Sequence, residues 1–324
     1  MSISFIIITY NTKELVQECV NILLKETEGM DKQVIVVDNG SNDRTYPALR
    51  SIAGIEPVRI EKNVGFGAAN NIGYQHARGK YIALLNSDAF PHSGAIEEAL
   101  QLMETNPEVG LMGGRLVYKD GSWQPSAHLF PSLLNQFLKY SGLAHRYPNH
   151  PFFSRANRSW ADPDQPAEVD WIPGAFCVIR REALEKTFIF DEKFFMYYEE
   201  VDLCKRIKDK GWKIVYWPDA VITHIGGETT KNTNGAFFNQ IGAQVSAWEA
   251  RSCYLYFRKY GGWFNTWSLY LFQVWFSRLR WIKNLITRGR SHENTRFLVQ
   301  HIANLKQAWK DTRHGTISPP RPWV

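Results

Sequence analysis

The 324-residue chain has few cysteines and none in pairs: Cys19, Cys177, Cys204 and Cys253 are widely spaced, form no CxxC and lie in apolar stretches. That pattern argues against a disulfide framework or a cysteine zinc site and predicts four reduced core thiols, as in a cytosolic protein. The opening "MSISFIIITYN" lacks a basic leader and a small-residue cleavage site, so no secretion signal is expected. Near the other end, the uncharged run Trp263 to Ser277 has 15 residues and includes Asn265, Thr266, Ser268 and Gln273. It is too short and too polar for a membrane span of about 20 apolar residues. There is no internal repeat, and no low-complexity block beyond the short "ISPPRPWV". "NVGFGAANN" has Gly65 and Gly67 but Asn70 where a dinucleotide fingerprint has its third glycine, so a tight turn into a polar-capped helix is the better reading.

Acidic residues nearly vanish toward one end. Residues 1–247 carry 25 Lys and Arg against 29 Asp and Glu, whereas 248–324 carry 13 against 3. The net charge of +6 therefore belongs to the tail, and the body is mildly acidic. A basic tail suits nucleic acid or anionic lipid. No nucleic-acid reading module is recognisable, so no such partner is expected. Residues 236–260 read as a helix, and "WFNTWSLYLFQVWFSRLRWIKNLITRGR" follows. It mixes Trp263, Trp267, Trp275 and Trp281 with Arg278, Arg280, Lys283, Arg288 and Arg290, a composition suited to an anionic membrane surface. A helical hairpin packed on the body, or at a dimer interface, uses the same residues. On the lipid reading, cutting the chain after about Gly261 should raise solubility.

The first half does have regular patterning, and its 44% hydrophobic content is ordinary for a packed core. Strand-like "ISFIIITY", "QVIVVD", "PVRIE" and "YIALLN" alternate with helix-like "TKELVQECVNILLKE", "GAANNIGYQHA" and "GAIEEALQLMETN". This predicts an α/β fold with a mostly parallel sheet flanked by helices. Ligands of such sheets bind at the carboxyl ends of the strands. The polar residues there are Thr9, Tyr10 and Asn11, then Asp38, Asn39 and Ser41, then Asn86, Ser87 and Asp88. Asp38 also suits a turn cap. Asp88 ends a very apolar strand, where a carboxylate needs a hydrogen bond, a partner charge or a metal. Residues 119–170 lose periodicity and read as an irregular insertion shaping a substrate pocket, with one helix in "PSLLNQFLKYSG".

"FFMYYEEVDLCKRIKDKGWKIVYWPDAVITHIGG" holds Glu199, Glu200, Asp202 and, farther on, His224. Asp202 precedes Lys205 and Arg206 by three and four residues, as on a solvated helix with internal ion pairs. Glu199 and Glu200 follow an aromatic run, where partial desolvation would move a carboxylate toward general-base duty. His224 ends a strand before Gly226 and Gly227; paired with Asp88 it would form a mixed O/N site for Mg2+ or Mn2+, with phosphate oxygens completing the shell.

In order, "TYN", "VVDNGS", "NVGFGAANN", "LLNSD", "GAFCVIRREAL", "FDEKFFMYYEEVDLCKRI" and "THIGG" span about Ile3 to Gly227. Together they resemble the family 2 inverting glycosyltransferases of the GT-A fold, particularly the bacterial branch that includes rhamnosyltransferases. The resemblance implies that Thr9, Tyr10, Asn11 and Asp38 hold the nucleotide, with Asn63 and Asn70 nearby. Asn86, Ser87 and Asp88 occupy the family's DxD motif, with Asn86 in place of its first Asp and Asp88 as the metal-binding residue. Glu200 aligns with the second acid of the family's ED pair, the catalytic base, and Glu199 is its reserve.

The expected division is a catalytic domain over 1–234, from the resemblance, and a helical, membrane-associating extension over 235–324, from the basic, aromatic composition of the tail. The expected donor is dTDP- or UDP-linked, with dTDP-rhamnose favoured, and the expected acceptor is a polyprenyl-diphosphate-linked glycan on the cytoplasmic face of the inner membrane. An oligomer is compatible with this. Two rival readings are a silent scaffold of the same fold that recruits partners to the membrane, and a sugar nucleotidyltransferase. The latter would open with a glycine-rich loop where this chain has "TYNTKEL".

Overall fold

The computed structural model describes residues 2–226, 238–286 and 292–319. In chain order the strands are β1 (Ile3–Thr9), β2 (Lys32–Asn39), β3 (Glu56–Ile60), β4 (Tyr81–Asn86), β5 (Ala89–Pro91), β6 (Val109–Val117), β7 (Trp123–Gln124), β8 (Ala167–Glu168), β9 (Phe176–Arg180) and β10 (Lys213–His224). The helices are α1 (Lys13–Glu26), α2 (Thr45–Leu49), α3 (Phe66–His76), α4 (Ala95–Thr105), α5 (Leu133–Ser141), α6 (Leu143–Arg146), α7 (Glu199–Asp209), α8 (Phe238–Ile286) and α9 (His292–Asp311).

One mixed sheet runs β3-β2-β1-β4-β9-β6-β10-β5, with β7 on β6 and β8 on β10. The pairs β3–β2, β2–β1, β1–β4 and β6–β10 are parallel, whereas β9 is antiparallel to both β4 and β6. Helices cover both faces, which is why β1 and β2 are apolar almost throughout instead of alternating with polar residues. The pleat still sorts their side chains. Ile3, Phe5 and Ile7 pack with Cys19, Val20 and Leu23 of α1, while Ile6 faces Ala69 and Tyr74 of α3. Arg180, buried at the end of β9, donates to the carbonyls of Met103 and Asn106 and so satisfies acceptors at the C-terminal end of α4.

The 119–170 stretch contains α5 as expected, capped by Ser132, whose Oγ accepts from Asn135 N–H at 3.2 Å, and it also contains α6 and two short strands. A third cluster joins Phe194 and Val201 of the body to Cys253, Tyr254, Phe257, Leu269 and Val274 of α8 and Leu305 of α9. α8 breaks at Gly262, whose φ of 73° and ψ of −173° turn the chain out of helical geometry. Its second half and α9 therefore pack on the body, as the hairpin reading had it, and cutting after Gly261 would strip Leu269, Val274 and Leu305 from this cluster. The expected gain in solubility on truncation does not follow from such packing. No helix among the described residues is long and apolar enough to cross a membrane. The 234/235 boundary, Gly227, Arg288 and Arg290 lie outside the described residues.

Candidate active site

Register brings the polar strand ends together. Thr9 pairs with Asp38 and Ile8 with Asn86, so β1, β2 and β4 end along one edge. Thr9 Oγ1 lies 2.9 Å from Thr12 Oγ1, which lies 3.3 Å from Ser87 Oγ. Asn11, next to the half-buried Tyr10, has a φ of 54°, which Asn tolerates better than most residues. Its N–H donates to Ser41 Oγ at 2.9 Å and its Oδ1 accepts from Asn42 N–H at 2.9 Å. These bonds lash the β1 exit to the β2 exit.

Asp38 is fully buried. It accepts from Ser41 N–H at 3.0 Å, as a turn cap would, and also from Arg59 at 2.8 Å, a partner that periodicity did not reveal. Asn63 Oδ1 accepts from Gly65 N–H at 2.9 Å and from Asn39 Nδ2 at 3.2 Å. Gly65 has a φ of 90°, and a Cβ there would meet the Phe195 carbonyl oxygen at 2.6 Å, so this turn abuts the acidic segment. Asn70 donates to the Phe66 carbonyl at 3.0 Å, but its buried Oδ1 has no partner among the described residues. Asn71, not singled out from sequence, has a structural task. Its Oδ1 accepts from the N–H groups of Ile189 and Phe190 at 2.9 and 3.0 Å, pinning the approach to the acidic segment onto α3.

Asp88 sits in the two-residue turn from β4 to β5, and β10 pairs antiparallel with β5, setting His224 opposite Ala89. The result is a 3.5 Å separation between His224 Nε2 and Asp88 Oδ1, across 136 residues of sequence. On its other nitrogen, His224 Nδ1 lies 3.1 Å from Gln124 Oε1. An amide oxygen only accepts, so Nδ1 donates here and Nε2 is the ring nitrogen turned toward the carboxylate. A ring nitrogen and a carboxylate oxygen at this separation can share a positive charge, a proton or a divalent ion. These two side chains therefore fit a metal. No group of three or more His, Cys, Asp or Glu suited to a metal occurs among the described residues.

Glu199 and Glu200 open α7 directly after Tyr197 and Tyr198, whose φ values are 67° and 68°. Two successive non-glycine residues in the left-handed region cost about 1–3 kcal/mol each, so the surrounding packing must enforce them. Glu199 is 5% exposed and Glu200 half-buried, and neither Oε2 has a hydrogen-bond partner among the described residues. Burial raises both carboxyls above their ordinary range; the Glu200 charge adds to this at Glu199, while Glu200 is pushed up to about 7. A helix N-terminus usually favours carboxylates, and here desolvation outweighs it. Burial thus makes the pair reluctant to carry two charges, and Glu200, pushed up to about 7, is suited to proton transfer near neutrality.

Asp202 departs from the solvated-helix expectation. It is fully buried and bonds Arg206 at 2.9 Å, Lys259 at 2.6 Å and Tyr260 at 2.8 Å, whereas Lys205 pairs with Asp209. Two of its partners come from α8, more than 50 residues away, and no local pattern could have revealed them.

The family model for "Glycosyl transferase family 2" matches residues 4–188. The N-acetylglucosaminyl-diphospho-decaprenol L-rhamnosyltransferase of Mycobacterium tuberculosis is 26% identical over 294 residues, covering 87% of this chain and 89% of its own. Glycosyltransferase AglE of Haloferax volcanii is 30% identical over 144 residues, covering 43% of this chain and 47% of its own. The mannosyltransferase PcManGT from Pyrobaculum calidifontis, solved in complex with GDP-Man and Mn2+, superposes with a TM-score of 0.55 at 16% identity. That superposition covers 95% of this chain and 87% of the other, and the fold is GT-A-like.

Proposed function

The chain belongs to glycosyl transferase family 2, and on that premise we propose that it is a metal-dependent inverting transferase acting on a lipid-linked glycan. The favoured donor is dTDP-L-rhamnose and the acceptor a polyprenyl-diphosphate-linked sugar in cell-surface polysaccharide synthesis. The rhamnosyl activity in the mycobacterial relative's name, together with similarity along most of both chains, supports this choice. The observation that carries the catalytic reading is the acid pair, each with one buried oxygen that has no partner among the described residues. Such groups are costly in a fold, and a silent scaffold has no use for them.

In the proposed reaction, Glu200 accepts the proton of an acceptor hydroxyl as that oxygen attacks the anomeric carbon. The bond from that carbon to the diphosphate oxygen breaks, and the electron pair leaves with the nucleoside diphosphate. One displacement inverts the configuration. Glu199 beside it, its carboxyl raised by burial and by the Glu200 charge, disfavours a second charge at the pair. Thr9, Tyr10, Asn11, Asp38, Asn63, Asn70, Asn86 and Ser87 form the donor side. Asp88 and His224 would hold Mg2+ or Mn2+, which supplies positive charge to the departing diphosphate.

Association with the cytoplasmic surface of the membrane belongs to the same proposal. The second half of α8 buries Leu269 and Gln273 on one side and exposes Phe264, Trp267, Leu271, Trp275, Leu279 and Ile282 on the other. Arg278 and Lys283 are also exposed on this half of the helix. An aromatic, apolar stripe flanked by cations matches an anionic lipid surface, where a lipid-linked acceptor resides. The test is a panel of nucleotide sugars incubated with the purified chain and a synthetic polyprenyl-diphosphate N-acetylglucosamine, with and without Mg2+ or Mn2+. Release of nucleoside diphosphate and a glycosylated lipid only with metal supports the reading. Absence of any transfer across the panel would overturn it.

A further inference from the structure

The family-model match ends at residue 188, yet α8, far beyond it, grips the turn that carries the acids. Ser252 Oγ donates to the Met196 carbonyl at 2.7 Å, and the Tyr198 hydroxyl donates to Cys253 Sγ at 3.0 Å. Trp248 packs on Phe195 with ring centroids 4.6 Å apart, and Tyr256 packs on Tyr198 at 5.5 Å. Residues 248, 252, 256 and 259 share one face of the helix, and the last of them, Lys259, continues the grip onto Asp202 of α7. On the far side of the turn, Phe66 N–H donates to the Phe195 carbonyl at 3.2 Å. The left-handed Tyr197 and Tyr198 are thus held from α8 on one side and from the donor-side helix α3 on the other.

From this geometry we infer that Ser252 and Cys253, acting through Met196 and Tyr198, are positioning residues that aim the Glu199–Glu200 pair at the acceptor hydroxyl. The inference rests on the reading of Glu200 as the base. Its physical basis is that two residues in a disfavoured conformation relax unless bonds on both sides oppose it. Relaxation would turn the first residues of α7 and let water reach the pair. Misplacement of a reacting group by about 1 Å can cost roughly 10²-fold in rate. The other titratable groups facing the pair are Tyr197 of the turn, Cys177 of β9 and Cys204 of α7, each held neutral by burial, with Glu249 of α8 bound to Lys139.

Ser252→Ala and Tyr198→Phe each delete one hydroxyl with little change of shape. Tyr254→Phe is the comparison: it removes a buried bond from the same helix, to Gln273, away from the turn. Two readouts are used on the full chain: infrared titration of the carboxyl band without substrate, and kcat, donor KM and pH–rate profile with the donor selected by the panel. Each turn variant is expected to lower kcat about 10-fold with donor KM changed less than about twofold, as for loss of an interaction made only in the transition state. The raised carboxyl titration and the acidic limb of kcat should both move to lower pH as water enters. Tyr254→Phe should lower the melting temperature and move neither. If both turn variants behave like Tyr254→Phe, with kcat and titration unchanged, Ser252 and Cys253 are packing residues and the inference falls. Glu200→Gln is run in parallel; normal turnover there would instead overturn the base assignment.

Discussion

Replacing Glu200 with Gln should make the protein more stable and nearly inactive at the same pH. Glu200 is half-buried, its Oε2 has no partner among the described residues, and its carboxyl is pushed from an ordinary 4.5 up to about 7 by burial. Below about 4.5 it is protonated in both folded and unfolded chains, so the folded state bears no penalty. Between about 4.5 and about 7 the unfolded chain releases the proton first, and the penalty grows. Above about 7 the folded state bears all of it, on the order of 3 kcal/mol from about 1.4 kcal/mol per tenfold change in acidity. Gln keeps the shape, never ionises, and also removes the charge that disfavours ionisation of Glu199. The difference in melting temperature between variant and wild type should therefore be small at pH 5 and reach a few degrees by pH 8. Turnover should fall about 10²-fold or more, because the amide accepts no proton, while donor affinity stays nearly unchanged. Calorimetric melts across this pH range, paired with product release and nucleotide titration, read all three. A variant that gains no stability from pH 5 to 8 would show that Glu200 is not a desolvated acid. One that gains stability but retains turnover, while Glu199→Gln does not, would move the base to Glu199.

Asp88→Ala and His224→Ala should each weaken metal-dependent binding of the nucleoside diphosphate, and the double variant should lose little more than either, since both act on one ion; calorimetry indifferent to metal and to both substitutions would remove the site. Asp202→Asn should destabilise the fold by about 2 kcal/mol by removing the buried charge to which Arg206, Lys259 and Tyr260 bond, even though Lys259 keeps Asp191 and Arg206 keeps the Ile189 carbonyl, whereas Asp209→Asn, at an exposed pair, should change it by less than about 0.5 kcal/mol; comparable urea midpoints for the two would refute the hub. Wild type should sediment with vesicles containing anionic lipid and be released by high salt or mild detergent, while Leu271→Glu with Trp275→Glu should abolish binding without lowering the melting temperature; retained sedimentation would shift the exposed stripe toward a protein interface.

Local pattern was enough to read the α/β alternation, the apolar strands of a covered sheet, and the clustering of polar residues at strand ends, because side-chain periodicity and strand termini are short-range properties. It also placed Glu199 and Glu200 after an aromatic run, and Asp88 where an apolar strand ends. It could not show that Asp202 is buried: the i,i+4 spacing to Arg206 is the same on a solvated helix, and burial comes from Lys259 and Tyr260 of a helix folded back from another part of the chain. It could not show that Tyr197 and Tyr198 are left-handed, since two successive tyrosines are locally disfavoured there and are held by contacts from α8. His224 reaches Asp88 only because β10 lies antiparallel to β5 in a sheet whose order departs from chain order. Each of these depends on closing long loops, which fixes partners by three-dimensional packing and leaves no periodic trace in the residues themselves.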